Sequence, residues 1–330
     1  MSALASNDVP DRDLALELVR ATEAAALAGG RWMGRRNKEA ADQAAVDAMR
    51  LLMKTVSMDG VVVIGEGEKD EAPMLYNGEQ IGNGQPPVVD IAVDPIDGTT
   101  LTAKGQHGAI AVIAVSERGT MFDPGPCVYM QKLVAKEEAR GVVDITLPLG
   151  ENLERLARAK DTQISELTVL ILERPRHEEL ANEVAEAGAR VRLIPDGDVV
   201  GAILAARKNS AVDLLVGIGG TPEGVISACA IKCLGGVIQG RLWPRDDDER
   251  RRAQAAGYDL ERTLSADDLV SGNDMFFAAS GITDGDLVKG VQYHADGATT
   301  HSMVMRSRTK TVRVIEAFHD PAKVARYATG

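Results

Sequence analysis

Hydrophobic positions along the chain follow two periods, one typical of amphipathic helices and one typical of buried strands. Between Leu14 and Ala25 apolar residues recur at helical spacing, which predicts a helix that Gly29 and Gly30 can end. A second helical stretch is predicted over residues 40–55. Residues 61–64 form a continuous apolar run closed by Gly65, which predicts a buried strand.

Similar apolar runs recur further along the chain, and most are followed by helical stretches. They lie at residues 88–93, 109–115, 167–172, 191–194 and 213–218. Alternating strands and helices are typical of β-α-β units, so largely parallel sheets are expected. Shorter strands joined by turns are predicted at residues 275–279, 288–293, 302–306 and 311–318. The predicted fold class is α/β with mixed sheets.

The length indicates two fused halves, since 330 residues at roughly 150 per domain make about two. Residues 1–10 are predicted to be a disordered tail, residues 11–160 an N-terminal α/β half and residues 161–330 a C-terminal α/β half. A polar helical segment at residues 148–165 marks the boundary. Residues 245–252 alternate acidic and basic blocks, which is typical of a solvated helical face.

Composition and charge narrow the classes of function. With 37 basic against 49 acidic side chains the net charge is −12, which disfavours nucleic acid as a partner. No apolar run approaches the roughly 20 residues that span a bilayer, and no secretory signal is visible. The three cysteines form no evident disulfide framework, and Cys229 and Cys233 fit core packing. A cytoplasmic protein without membrane or nucleic-acid partners is expected.

Acidic, glycine-containing turns follow four of the predicted strands. These turns are residues 65–71, 94–100, 196–198 and 219–224. In open α/β sheets ligands bind beyond the carboxyl ends of the strands, where these turns would meet. Carboxylate oxygens are hard ligands suited to Mg²⁺ or Mn²⁺. The repeated placement therefore predicts a divalent-metal site.

The turn at residues 94–100 combines groups for metal and for phosphate. Asp94 and Asp97 can converge across a proline, while Gly98 and Thr99 can open a helix whose free N–H groups receive an anion. The Thr99 hydroxyl can orient an attacking water. The same residue types also make an Asx turn followed by a helix cap, a purely structural alternative.

Several motifs resemble those of a known family. Asp-Pro-Ile-Asp-Gly-Thr at residues 94–99 is similar to the signature of the lithium-sensitive, metal-dependent sugar-phosphate and inositol phosphatases. Residues 63–68, 174–177, 195–198 and 217–224 narrow the resemblance to the bacterial class II fructose-1,6-bisphosphatases. The resemblance extends from about residue 11 to residue 318.

This resemblance implies a fold, the layered αβαβα sandwich. It also implies an activity, the hydrolysis of fructose 1,6-bisphosphate to fructose 6-phosphate with Mg²⁺ or Mn²⁺ as cofactor. It also implies a sugar bisphosphate as partner and a homo-oligomer, dimer or tetramer. The implied metal ligands are Asp42, Glu66, Asp94, Asp97 and Glu223. The implied catalytic residues are Thr99, which would activate the attacking water, Asp70 and Lys38. The implied sugar-phosphate contacts are Asp97, Gly98, Thr99, Tyr129, Arg174, Pro175, Arg176, Asp196, Gly197, Asp198 and Gly220.

The chemistry of these residues agrees with the implied roles. Arg174 and Arg176 offer the guanidinium donors that best hold a phosphate remote from the metals. Each could instead pair with a nearby acid such as Glu173 or Glu178. The chain departs from the family pattern in three places: Arg36 and Asn37 replace a glycine and an acid, the loop at residues 105–108 differs, and Asp97 replaces a frequent glutamate.

Three alternatives stay open at this point. A related enzyme could act on sedoheptulose bisphosphate or an inositol phosphate, although two basic anchors favour a bisphosphate. A sugar-phosphate sensor would keep the arginines, yet this chain also has all five metal carboxylates. A nucleotide-binding protein is disfavoured because neither glycine-rich turn completes Gly-x-Gly-x-x-Gly.

Overall fold

The structure is a computed structural model that describes residues 14–67 and 74–327. The helices are α1 (Leu14–Gly29), α2 (Lys38–Met53), α3 (Thr99–Lys104), α4 (Leu149–Ala159), α5 (Glu178–Glu186), α6 (Asp198–Ala206), α7 (Thr221–Leu234), α8 (Asp247–Ala255), α9 (Ala266–Leu269) and α10 (Pro321–Arg326). None of these helices is long and apolar enough to cross a membrane. The predicted tail at residues 1–10 lies outside the described ranges.

The strands form two separate sheets. They are β1 (Asp59–Ile64), β2 (Gln80–Ile81), β3 (Val88–Asp97), β4 (Ile110–Glu117), β5 (Tyr129–Ala135), β6 (Thr168–Leu172), β7 (Arg190–Ile194), β8 (Leu214–Gly220), β9 (Val237–Leu242), β10 (Leu264–Ser265), β11 (Phe276–Gly281), β12 (Gln292–His294), β13 (Gly297–Arg306) and β14 (Thr311–His319). The first sheet has the order β12-β13-β11-β4-β3-β1-β2, and β14 also pairs with β13. The second has the order β10-β9-β5-β8-β6-β7.

Both sheets are mixed, which confirms the α/β class, but the expectation of largely parallel pairing was wrong. In the described ranges the parallel pairs are β1 with β3, β6 with β7 and β6 with β8, and the other named pairs are antiparallel. Alternation along the chain does not decide which strands become neighbours. After β4 the chain crosses to the second sheet, and after β10 it returns to the first. Strands on both sides of residue 160 therefore take part in each sheet.

Three apolar cores join these sheets and the helices into five layers. Helices α1 and α2 cover the outer face of the first sheet, with Leu18, Leu27, Met49, Ile91 and Ile113 in one core. Helices α6 and α7 lie between the sheets, with Ile203, Ile226, Cys229, Val112 and Phe277 in a second. Helix α4 covers the far face of the second sheet, with Leu133, Leu153, Leu156, Val169 and Val184 in a third. This layering is the αβαβα arrangement that the motifs implied.

Most apolar runs became the strands that they predicted, but four segments differ. Strand β5 was missed because Gln131 and Lys132 interrupt its apolar pattern. Strand β9 was missed as well, and only the last two residues of the run at 288–293 became part of a strand. The turn expected after residue 93 is instead the end of β3, whose pairing with β4 shifts between Asp94 and Asp97.

A hydrogen-bonded chain of polar groups ties the C-terminal strand to the first helix. Lys323 donates to Nδ1 of His319 at 2.9 Å, so Nε2 carries the ring proton and donates to Thr300 at 2.7 Å. The Thr300 hydroxyl donates in turn to Glu23 at 3.3 Å. Burial and the charge of Lys323 lower the pKa of His319 from 6.5 to about 4. His319 is therefore neutral in the folded protein near pH 6.

We expect His319 to make the protein less stable as pH falls from 6.5 toward 4. In this window the unfolded chain binds a proton at this residue and the folded protein does not, so the free energy of unfolding decreases with falling pH. His319→Gln removes the titrating ring. Urea denaturation at pH 7 and pH 5 measures the free energy of unfolding at each pH. Its decrease between the two should be about 1 kcal/mol larger for the unmodified protein than for the variant. Equal losses would contradict the assignment.

Candidate active site

Five predicted metal ligands line one cavity of about 330 Å³ at the edge where β1 and β3 end. They come from separate elements of the fold. Asp42 lies on α2, Glu66 follows β1, Asp94 and Asp97 end β3, and Glu223 lies in the first turn of α7. Gly98 and Thr99 line the same cavity. The tertiary structure thus brings together carboxylates that are up to 181 positions apart in the sequence (223 − 42 = 181).

Local backbone geometry sets the direction of the carboxylates on β3. Asp94 Oδ1 accepts a hydrogen bond from the Ile96 amide at 3.0 Å, which forms the Asx turn considered above. Gly98 precedes α3 with a φ of 101°, a left-handed conformation that glycine adopts without steric cost. Asp97 Oδ2 is not used in such a bond. The purely structural role, an Asx turn followed by a helix cap, therefore explains one oxygen of Asp94 and gives no role to the carboxylate of Asp97.

Burial and mutual repulsion make the ionised form of these carboxylates costly. Burial, followed by the charge of Asp42, raises the pKa of Glu66 to about 8. Burial and then the neighbouring carboxylates raise the pKa values of Asp94 and Asp97 well above the usual range. Burial also raises the pKa of Glu223, and the positive charge of Lys132 opposes that rise. Such a cluster requires either protons or cations to be stable.

The donor set fits a divalent cation, although the ligands have not converged around one point. In residues 14–67 and 74–327 no three Asp, Glu, His or Cys side chains form a ready metal-binding group. Asp42 and Glu66 share a hydrogen bond instead. Asp97 Oδ2 and Glu223 Oε2 are buried and lack a hydrogen-bond partner among the described residues. Since an unpartnered buried carboxylate oxygen is costly, a hard cation is the partner these oxygens suit.

A second cavity of about 240 Å³ adjoins the first and shares four residues with it, namely Asp97, Asp196, Pro222 and Glu223. Predicted sugar-phosphate contacts line it, and these are Asp97, Tyr129, Arg174, Arg176, Asp196, Gly197, Asp198 and Gly220. Pro175 lies between the two arginines, at the start of a short 3-10 turn. Carboxylates thus dominate the first cavity, whereas guanidinium groups line only the second.

The two arginines differ in how they are held. Arg174 donates to Asp196 Oδ1 at 2.8 Å and to the carbonyl of Glu173 at 2.9 Å, so its guanidinium fixes the loop after β7. Arg176 donates to the carbonyl of Ile218 at 2.8 Å, and its guanidinium carbon lies 5.2 Å from the centre of the Tyr129 ring. Arg176 is exposed. It therefore keeps more donors available to a ligand than Arg174 does.

Helix α8 carries one buried acid within an otherwise exposed, charged segment. Glu249 is fully buried, accepts from the Val128 amide at 3.1 Å and pairs with Nε of Arg245 at 3.2 Å. Arg245 in turn places its guanidinium carbon 5.9 Å from the Tyr129 ring centre. Seven of the residues at 245–252 are exposed, which confirms the solvated face, and Glu249 is the exception because it bonds to the backbone just before β5. The Asp-x-x-Glu spacing of Asp246 and Glu249, typical of a helix start, was the available signal.

The remaining predicted residues lie near α2 and α3. Lys38 begins α2 and donates to the Thr100 hydroxyl at 2.7 Å. Asn37 caps α2 by accepting from the Ala40 amide at 3.0 Å, as an acid would. Arg36 holds a left-handed φ of 59° at the position where the family has glycine. Asp70 lies outside the described residues.

Buried carboxylates beside a cavity that guanidinium groups line are the arrangement that a metal-dependent phosphatase would need. The sequence profile of one family, described as bacterial fructose-1,6-bisphosphatase, glpX-encoded, matches residues 12–319. The chain belongs to this family, which confirms the resemblance found in its motifs.

Curated relatives agree with this assignment. Three of them are each 46% identical to the chain over an alignment of 321 residues, which covers 93% of this chain and 95% of the relative. They are fructose-1,6-bisphosphatase 1 class 2 of Escherichia coli strain K12 and fructose-1,6-bisphosphatase class 2 of both E. coli O6:H1 strain CFT073 and Shigella flexneri. The chain is accordingly a phosphoric monoester hydrolase.

A buried histidine joins the arginine-bearing turn to β8. His177 Nε2 accepts from the Ile218 amide at 2.8 Å, and Nδ1 donates to the Leu172 carbonyl at 2.6 Å. The ladder between β6 and β8 covers only Val169 and Leu170 of β6. The imidazole thus connects the two strands beyond the point where their own pairing ends. Burial lowers the pKa of His177, in agreement with the neutral ring that this bonding requires.

Replacing His177 with phenylalanine should destabilise the protein by about 1 to 3 kcal/mol, because the half-buried Ile218 amide and Leu172 carbonyl lose their partners. Urea denaturation at pH 7 measures the change. His177→Gln can restore one of the two hydrogen bonds, so its free energy of unfolding should decrease less than that of the phenylalanine variant. A phenylalanine variant as stable as the unmodified protein would show that water or backbone movement replaces both bonds.

Proposed function

We propose that this chain hydrolyses fructose 1,6-bisphosphate to fructose 6-phosphate and inorganic phosphate with Mg²⁺ or Mn²⁺. The supporting observation is the pair of adjoining cavities that share Asp97 and Glu223. Carboxylates in one cavity and Arg176 in the other correspond to the two ends of a sugar bisphosphate. A monophosphate would leave the second cavity without an anionic partner.

The carboxylates are proposed to hold the cations. Asp42, Glu66, Asp94, Asp97 and Glu223 would be the protein ligands. When bound, divalent cations neutralise phosphoryl oxygens, acidify water and stabilise a leaving alkoxide. The proposed role of Thr99 is to orient the attacking water with its hydroxyl from the start of α3. Lys38, through its bond to Thr100, would help to hold this helix start in place.

The second cavity is proposed to bind the sugar and the phosphate that does not react. Arg176 would hold the distal phosphate, and Tyr129 would support its guanidinium. Arg174 would hold Asp196 in place by donating to its Oδ1. The Oδ2 of Asp196 accepts from the Thr100 amide at 3.3 Å. Asp198 would accept a hydrogen bond from a sugar hydroxyl. Gly197 and Gly220 would allow the sugar to approach the backbone closely.

Helices α6 and α7 also begin at this site. Their N-terminal amide groups carry partial positive charge, which favours a phosphorylated ligand and offsets part of the repulsion between the carboxylates. We further propose a cytoplasmic homo-oligomer, either a dimer or a tetramer. Asp70 is proposed as a further required residue on the strength of the motif alone.

Asp94→Asn tests the metal site, since it keeps the side-chain volume and removes one charge. We expect phosphate release from fructose 1,6-bisphosphate to fall by at least about 100-fold at millimolar Mg²⁺ or Mn²⁺. The rise in melting temperature that the cation causes should shrink as well. Asp47→Asn, an exposed acid on the same helix as Asp42, is the matched control. Full turnover by Asp94→Asn would contradict the proposed ligand.

Thr99→Ala tests the orientation of the attacking water. We expect kcat to fall by about 100-fold or more with little change in KM, because the hydroxyl would act mainly in the transition state. Thr99→Ser keeps the hydroxyl and should be milder. Steady-state kinetics on a panel of sugar mono- and bisphosphates measures both variants. A raised KM with unchanged kcat would instead make Thr99 a binding or capping residue.

A further inference from the structure

Lys132 is a buried cation bonded to two residues that line the smaller cavity, and no motif drew attention to it. Its side chain, on β5, is only 2% exposed. Its ammonium group donates to Asp198 Oδ2 at 2.6 Å and to the Gly220 carbonyl at 2.8 Å. Both partners lie at starts of helices that meet at the site, since Asp198 begins α6 and Gly220 precedes α7. Lys132 therefore connects three elements of the fold.

The backbone beside this ion pair leaves room for nothing larger than glycine. A Cβ atom on Gly219 would lie 1.9 Å from Asp198 Oδ2 and 3.0 Å from the Lys132 ammonium nitrogen. Any side chain there would push the two charged groups apart. Since a buried ammonium is costly unless it is paired and hydrogen-bonded, the fold accommodates this pair in one arrangement.

The two oxygens of Asp198 have different surroundings. Oδ2 is occupied by Lys132, whereas Oδ1 is buried and has no hydrogen-bond partner among the described residues. Asp198 is itself only 9% exposed and lines the smaller cavity. A buried carboxylate oxygen that lacks a donor suits a ligand hydroxyl that supplies one.

We propose that Lys132 is a positioning residue that selects sugar phosphates. It holds Asp198 by one oxygen, so that the other oxygen is oriented to accept a hydrogen bond from a hydroxyl of the sugar. The inference rests on the proposed function, because it takes the sugar to lie in the smaller cavity. Lys132 itself lines neither cavity of the site, so it would act only through its bonds to Asp198 and the Gly220 carbonyl.

Two substrates distinguish a role of Lys132 in sugar recognition from a role in phosphate hydrolysis as such. Fructose 1,6-bisphosphate carries hydroxyls for Asp198, whereas p-nitrophenyl phosphate, an aryl phosphate ester, carries no sugar hydroxyl. Lys132→Met should lower kcat/KM for fructose 1,6-bisphosphate by about 10- to 100-fold, mainly through KM, since it disturbs a hydrogen bond to a charged group. The loss for p-nitrophenyl phosphate should be much smaller. Lys132→Arg keeps a cation and should recover part of the lost activity.

A double-variant cycle keeps the proposal testable if Lys132→Met folds poorly. Asp198→Asn and the Lys132→Met/Asp198→Asn pair both remove the buried carboxylate charge, and the double variant leaves no unpaired ion. If Lys132 acts through Asp198, the double variant should discriminate between the two substrates no worse than Asp198→Asn alone. Further loss in the double variant, or equal losses on both substrates, would overturn the proposal.

The unmodified protein provides the control for the proposed function. Phosphate release from p-nitrophenyl phosphate with Mg²⁺ or Mn²⁺, but none from fructose 1,6-bisphosphate, would contradict the proposed substrate. Efficient release from fructose 1,6-bisphosphate, together with unchanged discrimination in Lys132→Met, would contradict only the role of Lys132. Circular dichroism and urea midpoints of each variant show that the folded protein is being compared.

Discussion

Mutual repulsion among buried carboxylates is the constraint on which the rest of this structure depends. Asp94, Asp97 and Glu223 meet where β3 ends and α7 begins, and burial raises the pKa of each. Charges of one sign cannot be buried together without compensation. The fold supplies part of it through the ammonium group of Lys132 and the N-termini of α6 and α7. Divalent cations are proposed to supply the remainder.

The five layers explain why this cluster lies beside a site for the rest of the substrate. Strand β3 belongs to the first sheet, whereas α6 and α7 lie between the sheets and begin beside the second. Asp97 and Glu223 consequently line both cavities. Any ligand that fills the smaller cavity therefore lies next to the carboxylates that are proposed to hold cations. Binding of sugar and metal would be coupled through these two side chains.

Buried polar groups outside the carboxylate cluster hold the loops of the site in place. His177 links β6 to β8, and Glu249 links α8 to the start of β5. These bonds belong to no strand ladder and no helix, so they add connections between elements that regular pairing does not make. The departure at Arg36 and Asn37 is also local. Asn37 keeps the cap of α2, and Arg36 adopts a backbone conformation that glycine would adopt with less strain.

The sequence by itself determined most strands, the first two helices and the residues that line the site. Apolar runs report which segments are buried, and motifs report side chains whose chemistry depends on local turns. Only the tertiary structure decided the antiparallel pairing, strand β5 with its buried Lys132, the burial of Glu249 and the pairing of Arg174 with Asp196. Each of these depends on contacts between distant parts of the chain. Periodicity describes the neighbours of a residue along the chain, whereas the partner of a buried charge depends on the path of the whole backbone.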